Sequence, residues 1–157
     1  MTSLTTSPFT LEIDRVLKAP ATSIWKCWTV PDLLMQWFCP RPWKVVKADM
    51  DLRVGGQADF TMQGPNGETF SNPGVYLAIE ENRRLVFTDA FQSGWLPAGK
   101  PFMVGEVLLS ETGENFTHYI ARAHHWNAQD MEDHLNRGFK AGWNAAADQL
   151  EELARSL

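Results

Sequence analysis

Positive charge is scarce in this sequence, and no cluster of it forms. Fourteen Lys and Arg face nineteen Asp and Glu, for a net charge of −5. Lys44 with Lys47, and Arg83 with Arg84, are isolated pairs. A phosphate backbone needs a basic footprint, so nucleic acid is excluded as an expected partner. No run of 18 apolar residues occurs, which excludes a membrane-spanning helix. The opening residues 1–8 hold neither a basic segment nor an apolar stretch. They read as a short flexible lead-in rather than a secretory signal, and cytoplasmic residence is the expectation. Cysteine is limited to Cys27 and Cys39, read as two reduced thiols in partly apolar surroundings. The sequence has no His-x-x-x-His or Cys-x-x-Cys spacing and no glycine-rich phosphate loop. Metal and nucleotide cofactors are therefore not expected.

Aromatic side chains are abundant instead. Seven Trp, nine Phe and two Tyr occur in 157 residues, within a hydrophobic fraction of 44%. Rings of this size either fill a core or line a pocket for a flat apolar ligand. The length suits one domain, expected over residues 9–157.

Hydrophobic period supplies the element order. Phe9, Leu11 and Ile13 alternate with Thr10, Glu12 and Asp14, predicting a half-buried strand over residues 9–17. Pro20 opens a short helix carrying Ile24, Trp25, Cys27 and Trp28. A second short helix is predicted over residues 31–38, with Thr29 as its cap. Six strands are then expected, over residues 43–52, 58–62, 70–80, 85–91, 102–110 and 116–123. In the first of them Val46, Ala48, Met50 and Leu52 share the inward face. Gly64-Pro65-Asn66-Gly67 marks a hairpin turn, and residues 93–101 read as a loop. Residues 128–157 read as one long amphipathic helix with Met131, Leu135, Phe139, Trp143, Ala146, Leu150, Leu153 and Leu157 on its apolar stripe. Gly138 and Gly142 lie within it at a cost of roughly 0.5–1 kcal/mol each, read as close backbone approach or as room beside the helix. Short strands joined by tight turns make an antiparallel sheet, and the terminal helix is what can cover it.

These residues resemble a known family. Thr29-x-Pro31-x-Leu33-x-x-x-Trp37-x-x-Pro40, Asp51-Leu52-Arg53-Val54-Gly55-Gly56, Gly74-Val75-Tyr76, Leu85-Val86-Phe87-Thr88 and Gly138-Phe139-x-x-Gly142-Trp143 are similar to motifs of the family of homologues of the activator of the heat-shock-protein-90 ATPase. It belongs to the START-like, or SRPBCC, superfamily. The resemblance spans nearly the whole chain. Val54 stands where the family usually has Pro, and Cys39 where it tends to have Gly. The resemblance implies an α+β helix-grip fold (START-like, Bet v-like), with two short helices after the first strand and a deep cavity between a curved sheet and the long helix. Relatives hold apolar small molecules there.

The site expected from these readings is Phe60, Met62, Tyr76, Phe87, Met103, Tyr119, His134, Phe139 and Trp143. It combines rings, adaptable Met and two phenols able to orient a ligand, though the same side chains also suit plain core packing. Alternation sends His125 inward after Tyr119, Ala121 and Ala123, and sends His118 and His124 outward. His125 and His134 then either pair at the cavity mouth or bond separately. Glu106 is expected outward, in solvent, and Asp51 with Arg53 as a turn ion pair. No acid–base cluster is visible in the sequence. Binding of an apolar or aromatic small molecule therefore ranks first, a chaperone-associated or regulatory protein-interaction role second, and a cyclase- or hydrolase-like enzyme using His125, His134 or Tyr119 third.

Overall fold

The computed structural model describes residues 8–157; the lead-in expected over residues 1–8 falls, but for Pro8, outside them. Strand β1 (Thr10–Leu17) leads to helices α1 (Ala21–Thr29) and α2 (Pro31–Leu34). Strands β2 (Lys44–Met50), β3 (Ala58–Gln63), β4 (Thr69–Asn72), β5 (Val75–Glu80) and β6 (Arg84–Thr88) follow, then a small hairpin of β7 (Phe91–Gln92) and β8 (Leu96–Pro97). Strands β9 (Val104–Gly113) and β10 (Phe116–His124) and helices α3 (Ala128–Asn136) and α4 (Phe139–Arg155) complete the chain.

Pairing is antiparallel throughout. Five strands run in the order β1-β10-β9-β6-β5, and three in the order β2-β3-β4. The two sheets meet at a corner. There Ala58 N–H donates to Gly74 O, Tyr76 N–H to Gly56 O and Gly55 N–H to Tyr76 O. One strand expected over residues 70–80 is in fact two, because Pro73 has no N–H for the ladder. The chain turns at Gly74, whose N–H donates to Asp59 Oδ1 at 3.0 Å, and passes from the small sheet into the large one. The curved sheet and the C-terminal helix form the helix-grip arrangement, with one apolar core between sheet, α1 and α4.

Three local readings are corrected. The register of β2 slips between Val45 and Lys47, so Val45 is 4% exposed and faces the core while Val46 is 39% exposed. Val46 is the extra, bulged residue, and beyond it Ala48 and Met50 pack against the core as expected. Leu52 lies beyond the strand and is exposed. The second helix closes after Leu34, and its cap is Val30; Thr29 Oγ1 instead donates back to Trp25 O. A hairpin, β7–β8, stands in the stretch read as a loop.

The terminal helix is broken. Gly138 has φ +95°, a left-handed conformation open to glycine at no steric cost, and it ends α3 and starts α4. The apolar stripe continues across this break in sequence but not in space. Leu135 is 42% exposed and α3 buries no residue fully, whereas α4 buries Phe139, Ala146, Ala147, Leu150 and Ala154. Leu157 lies beyond α4 and is exposed. Gly142 is not there for close backbone approach, since a Cβ would meet only Pro40 Cγ, at an ordinary 3.8 Å.

Polar contacts fix α4 against the rest. Arg15 donates to Asn144 Oδ1 and Asp148 Oδ1, and Lys18 N–H to Glu151 Oε2. Buried Gln149 donates to Trp37 O and Cys39 O and accepts from Arg41 N–H. One amide thus satisfies three backbone groups of the turn after α2, which would otherwise be buried without partners.

Candidate functional site

The space under the sheet is mostly filled by rings. Trp28 of α1 meets Trp37, Phe38 and Phe87 at centroid distances of 4.8, 5.7 and 5.7 Å, and Phe38 meets Phe60 at 5.2 Å. Tyr119 is buried here, its hydroxyl accepting from Trp28 Nε1 at 3.2 Å. Burial pushes its phenol well above the usual range. Beside these rings is a cavity of about 40 Å³, walled by Ala58 and Phe60 of β3, the Asn72-Pro73-Gly74 corner, Phe87 and Thr88 of β6, Asp89, Phe102 and Met103. It sits where the two sheets meet.

The segment before β9 closes one side of this cavity and is held by hydrogen bonds. Asp89 Oδ1 accepts from the N–H groups of Phe102 and Met103 at 2.9 and 3.1 Å. Thr88 Oγ1 donates to Met103 O at 2.9 Å. Phe87 lies over Gly105, where an added Cβ would come within 2.5 Å of the ring. Glycine is required there by the ring itself.

A second group of rings adjoins the first through Phe102. His125 follows β10 directly, and His134 is in the last turn of α3. Their Nε2 and Nδ1 atoms are 2.9 Å apart, so the two histidines are paired rather than separately bonded. Phe102 lies 5.1 Å from His125 and 4.8 Å from His134, and Phe139 and Trp143 lie 5.1 and 5.9 Å from His134. Burial, then the charges of His125 and Arg137, hold the His134 pKa down at about 4.

That depression has a stability consequence with a definite sign. Unfolded His134 takes up a proton near pH 6.5 and the folded one only near 4, so the unfolded chain binds more protons between these values. The His134 contribution is fully present above about pH 6.5 and is lost as pH falls towards 4. Urea midpoints measured across that window are expected to fall less steeply for His134→Phe than for the wild type. Parallel curves would contradict the assignment.

The expected site residues thus divide. Phe60, Phe87 and Met103 line the cavity together. His134, Phe139 and Trp143 form the adjoining group. Met62 is half-buried on β3 away from the cavity wall. Tyr76 is buried, its phenol is raised by burial, and its hydroxyl has no partner. Phe102, Thr88 and Asp89 were not among the expected residues. The strand expected over residues 102–110 puts Phe102 on the face opposite Met103; β9 starts only at Val104, and Phe102 lines the cavity beside Met103.

Other sequence readings resolve on the opposite face of the sheet. Glu106 does point away from the cavity, but it is 0% exposed rather than in solvent. Its carboxylate accepts from Arg84 Nε at 3.1 Å, Arg122 Nη1 at 3.4 Å and His124 Nε2 at 3.1 Å. His118, also outward, pairs with Asp14. Asp51 and Arg53 form the expected turn ion pair at 2.6 Å. Both cysteines are free and buried, and burial pushes their thiols up to about 11. Among the described residues no group of three metal-ligating side chains occurs, and no helix is long and apolar enough to cross a membrane.

Comparison with known proteins places this geometry. The family model described as "Activator of Hsp90 ATPase homolog 1-like protein" matches residues 18–155. The chain belongs to that family. Among solved structures, a protein of Nitrosomonas europaea is 35% identical, with 94% of each chain covered and a TM-score of 0.90. A protein of Mycobacterium smegmatis is 25% identical over 92% of this chain and 90% of its own, with a TM-score of 0.76. One from Arthrobacter aurescens, 21% identical over 99% of this chain and 94% of its own at a TM-score of 0.79, shares the fold. No protein with a curated description matches the chain.

Proposed function

We propose that this protein binds a small apolar, ring-bearing molecule at the seam between its two sheets. The observation that carries this reading is the cavity bounded by Phe60, Phe87, Phe102 and Met103. At about 40 Å³ it holds little more than water, whereas sites for drug-sized ligands run to roughly 300–1,000 Å³. A ligand must therefore displace part of the wall. Met103 is the side chain suited to that, being unbranched and on a segment held outside the sheet ladder.

A ligand that binds only the folded chain raises its unfolding midpoint by mass action. Thermal unfolding with 2-naphthol, indole and medium-chain fatty acids, each at millimolar concentration, is expected to show an upward shift for the ring compounds. No shift with any of them would remove the reading.

One observation favours a second reading, a protein-interaction role. Val54, Trp95 and Leu96 are 59%, 50% and 61% exposed, and the Trp95 indole lies against Gly55, joining the β7–β8 hairpin to the turn before β3. An exposed apolar patch on two loops suits a protein partner. The family's description names the Hsp90 ATPase, so that ATPase is the partner to assay; equal rates with wild type and Trp95→Ser would sink this second reading.

A further inference from the structure

Two imidazoles in contact decide each other's protonation. His125 Nδ1 lies 3.0 Å from the carbonyl oxygen of Phe102, which can only accept. His125 therefore carries a proton on Nδ1, and in its neutral form presents a lone pair at Nε2. His134 Nδ1 stands 2.9 Å from that lone pair and must be the donor. The proton of neutral His134 is thus on Nδ1, and its Nε2 is left as a bare acceptor.

That acceptor is unused by the protein. No hydrogen bond to His134 Nε2 exists among the described residues. His134 is partly exposed, and Tyr76 Oη alone among the described side-chain nitrogen and oxygen atoms is both buried and without a partner. His134 Nε2 is therefore reachable from outside. Apolar rings pack against the His134 imidazole: Phe102, shared with the cavity, and Phe139 and Trp143 of α4.

We propose that His134 Nε2 is a hydrogen-bond acceptor subsite for the hydroxyl or ring N–H of an uncharged aromatic ligand, with His125 as the positioning residue that holds its tautomer. This rests on the small-molecule reading above and adds to it the chemical class. A phenol or an N–H heterocycle supplies the missing hydrogen. An ether, a ketone or a carboxylate offers only lone pairs and meets a lone pair. In an apolar rim that mismatch leaves the acceptor desolvated and unpaired, which is where hydrogen-bond discrimination is largest.

The experiment has two stages, both at pH 8, where an ordinary imidazole is neutral. Long-range proton–nitrogen NMR of the ligand-free protein is expected to place the His134 proton on Nδ1. A proton on His134 Nε2 would overturn the proposal without any ligand. Calorimetric titration with 2-naphthol and with 2-methoxynaphthalene is then expected to favour the naphthol by about tenfold, the equivalent of one hydrogen bond. His134→Phe should bring the two affinities within about twofold of each other. His125→Phe, which leaves His134 in place but removes its partner, should also erode the preference. Equal affinities in the wild type, or an undiminished preference in either variant, would overturn this inference and leave the small-molecule reading standing. Binding of neither compound removes both.

Discussion

Replacing Glu106 with alanine is expected to destabilise the protein by about 3–5 kcal/mol, the cost of breaking a buried ion pair from one side. The carboxylate is fully buried on the face of the sheet away from the cavity. It lies between Arg84 on β6 and Arg122 on β10, each of which bonds a further carboxylate, Glu80 and Glu12. A row of alternating charge therefore crosses β5, β6, β9, β10 and β1, with Glu106 at its centre. His124 closes it, bonding Glu106 through Nε2 and Thr10 Oγ1 through Nδ1. Without the carboxylate, Arg84 and Arg122 lose their shared anion while the side chains of both remain largely covered. Urea unfolding of Glu106→Ala should show a lower midpoint at an unchanged slope. A midpoint within error of the wild type would mean that the row is idle. Glu106→Gln separates the contributions, since it keeps the shape and removes only the charge.

Gly105→Ala is expected to abolish ligand binding at the sheet seam while leaving the protein folded. The new Cβ would lie 2.5 Å from two carbons of the Phe87 ring, a distance no real Cβ contact sustains. The ring must move. Trp28 stands on one side of it at 5.7 Å, and the cavity it lines is the free volume beside it. Displacement into that cavity removes the space a ligand would enter. Affinity for 2-naphthol should fall at least about tenfold, and overpacking should cost about 1–3 kcal/mol. Gly142→Ala is the control. Its Cβ would meet only Pro40 Cγ at 3.8 Å, so binding should be unchanged. Equal affinity in Gly105→Ala and the wild type would detach the ligand from Phe87.

Much of this architecture is legible from period alone, because the strands of the large sheet bury one face and each apolar side chain marks it. Leu11 and Ile13, Val107 and Leu109, and Tyr119, Ala121 and Ala123 all fall inward as alternation requires. Alternation fails where geometry adds a residue without changing composition, as at the Val45–Lys47 bulge. It also fails where a helix changes direction. The stripe from Met131 to Leu157 keeps helical spacing across Gly138, and only a backbone angle distinguishes one helix from two.

At the site, period selects Phe60, Phe87 and Met103, which meet at the cavity. It also directs His125 inward, towards the histidine it bonds. It sends Phe102 to the wrong face, because that residue lies before β9 and is held by Asp89, thirteen residues earlier in the chain. For Glu106 it supplies the direction and not the burial, since covering that face depends on partners distant in sequence. The depth of the cavity is likewise beyond period: whether rings line a space or fill it depends on rotamers, and here Trp28, Phe38 and Phe87 fill most of it.

The most direct test of the seam as a ligand site is NMR of methyl-labelled methionine during titration with 2-naphthol. Met103 lines the cavity, while Met35 and Met50 pack against the core away from its walls. The Met103 methyl signal should move along the binding curve with those of Met35 and Met50 nearly still. Saturable binding with Met103 unmoved would contradict the account and send the ligand elsewhere on the molecule.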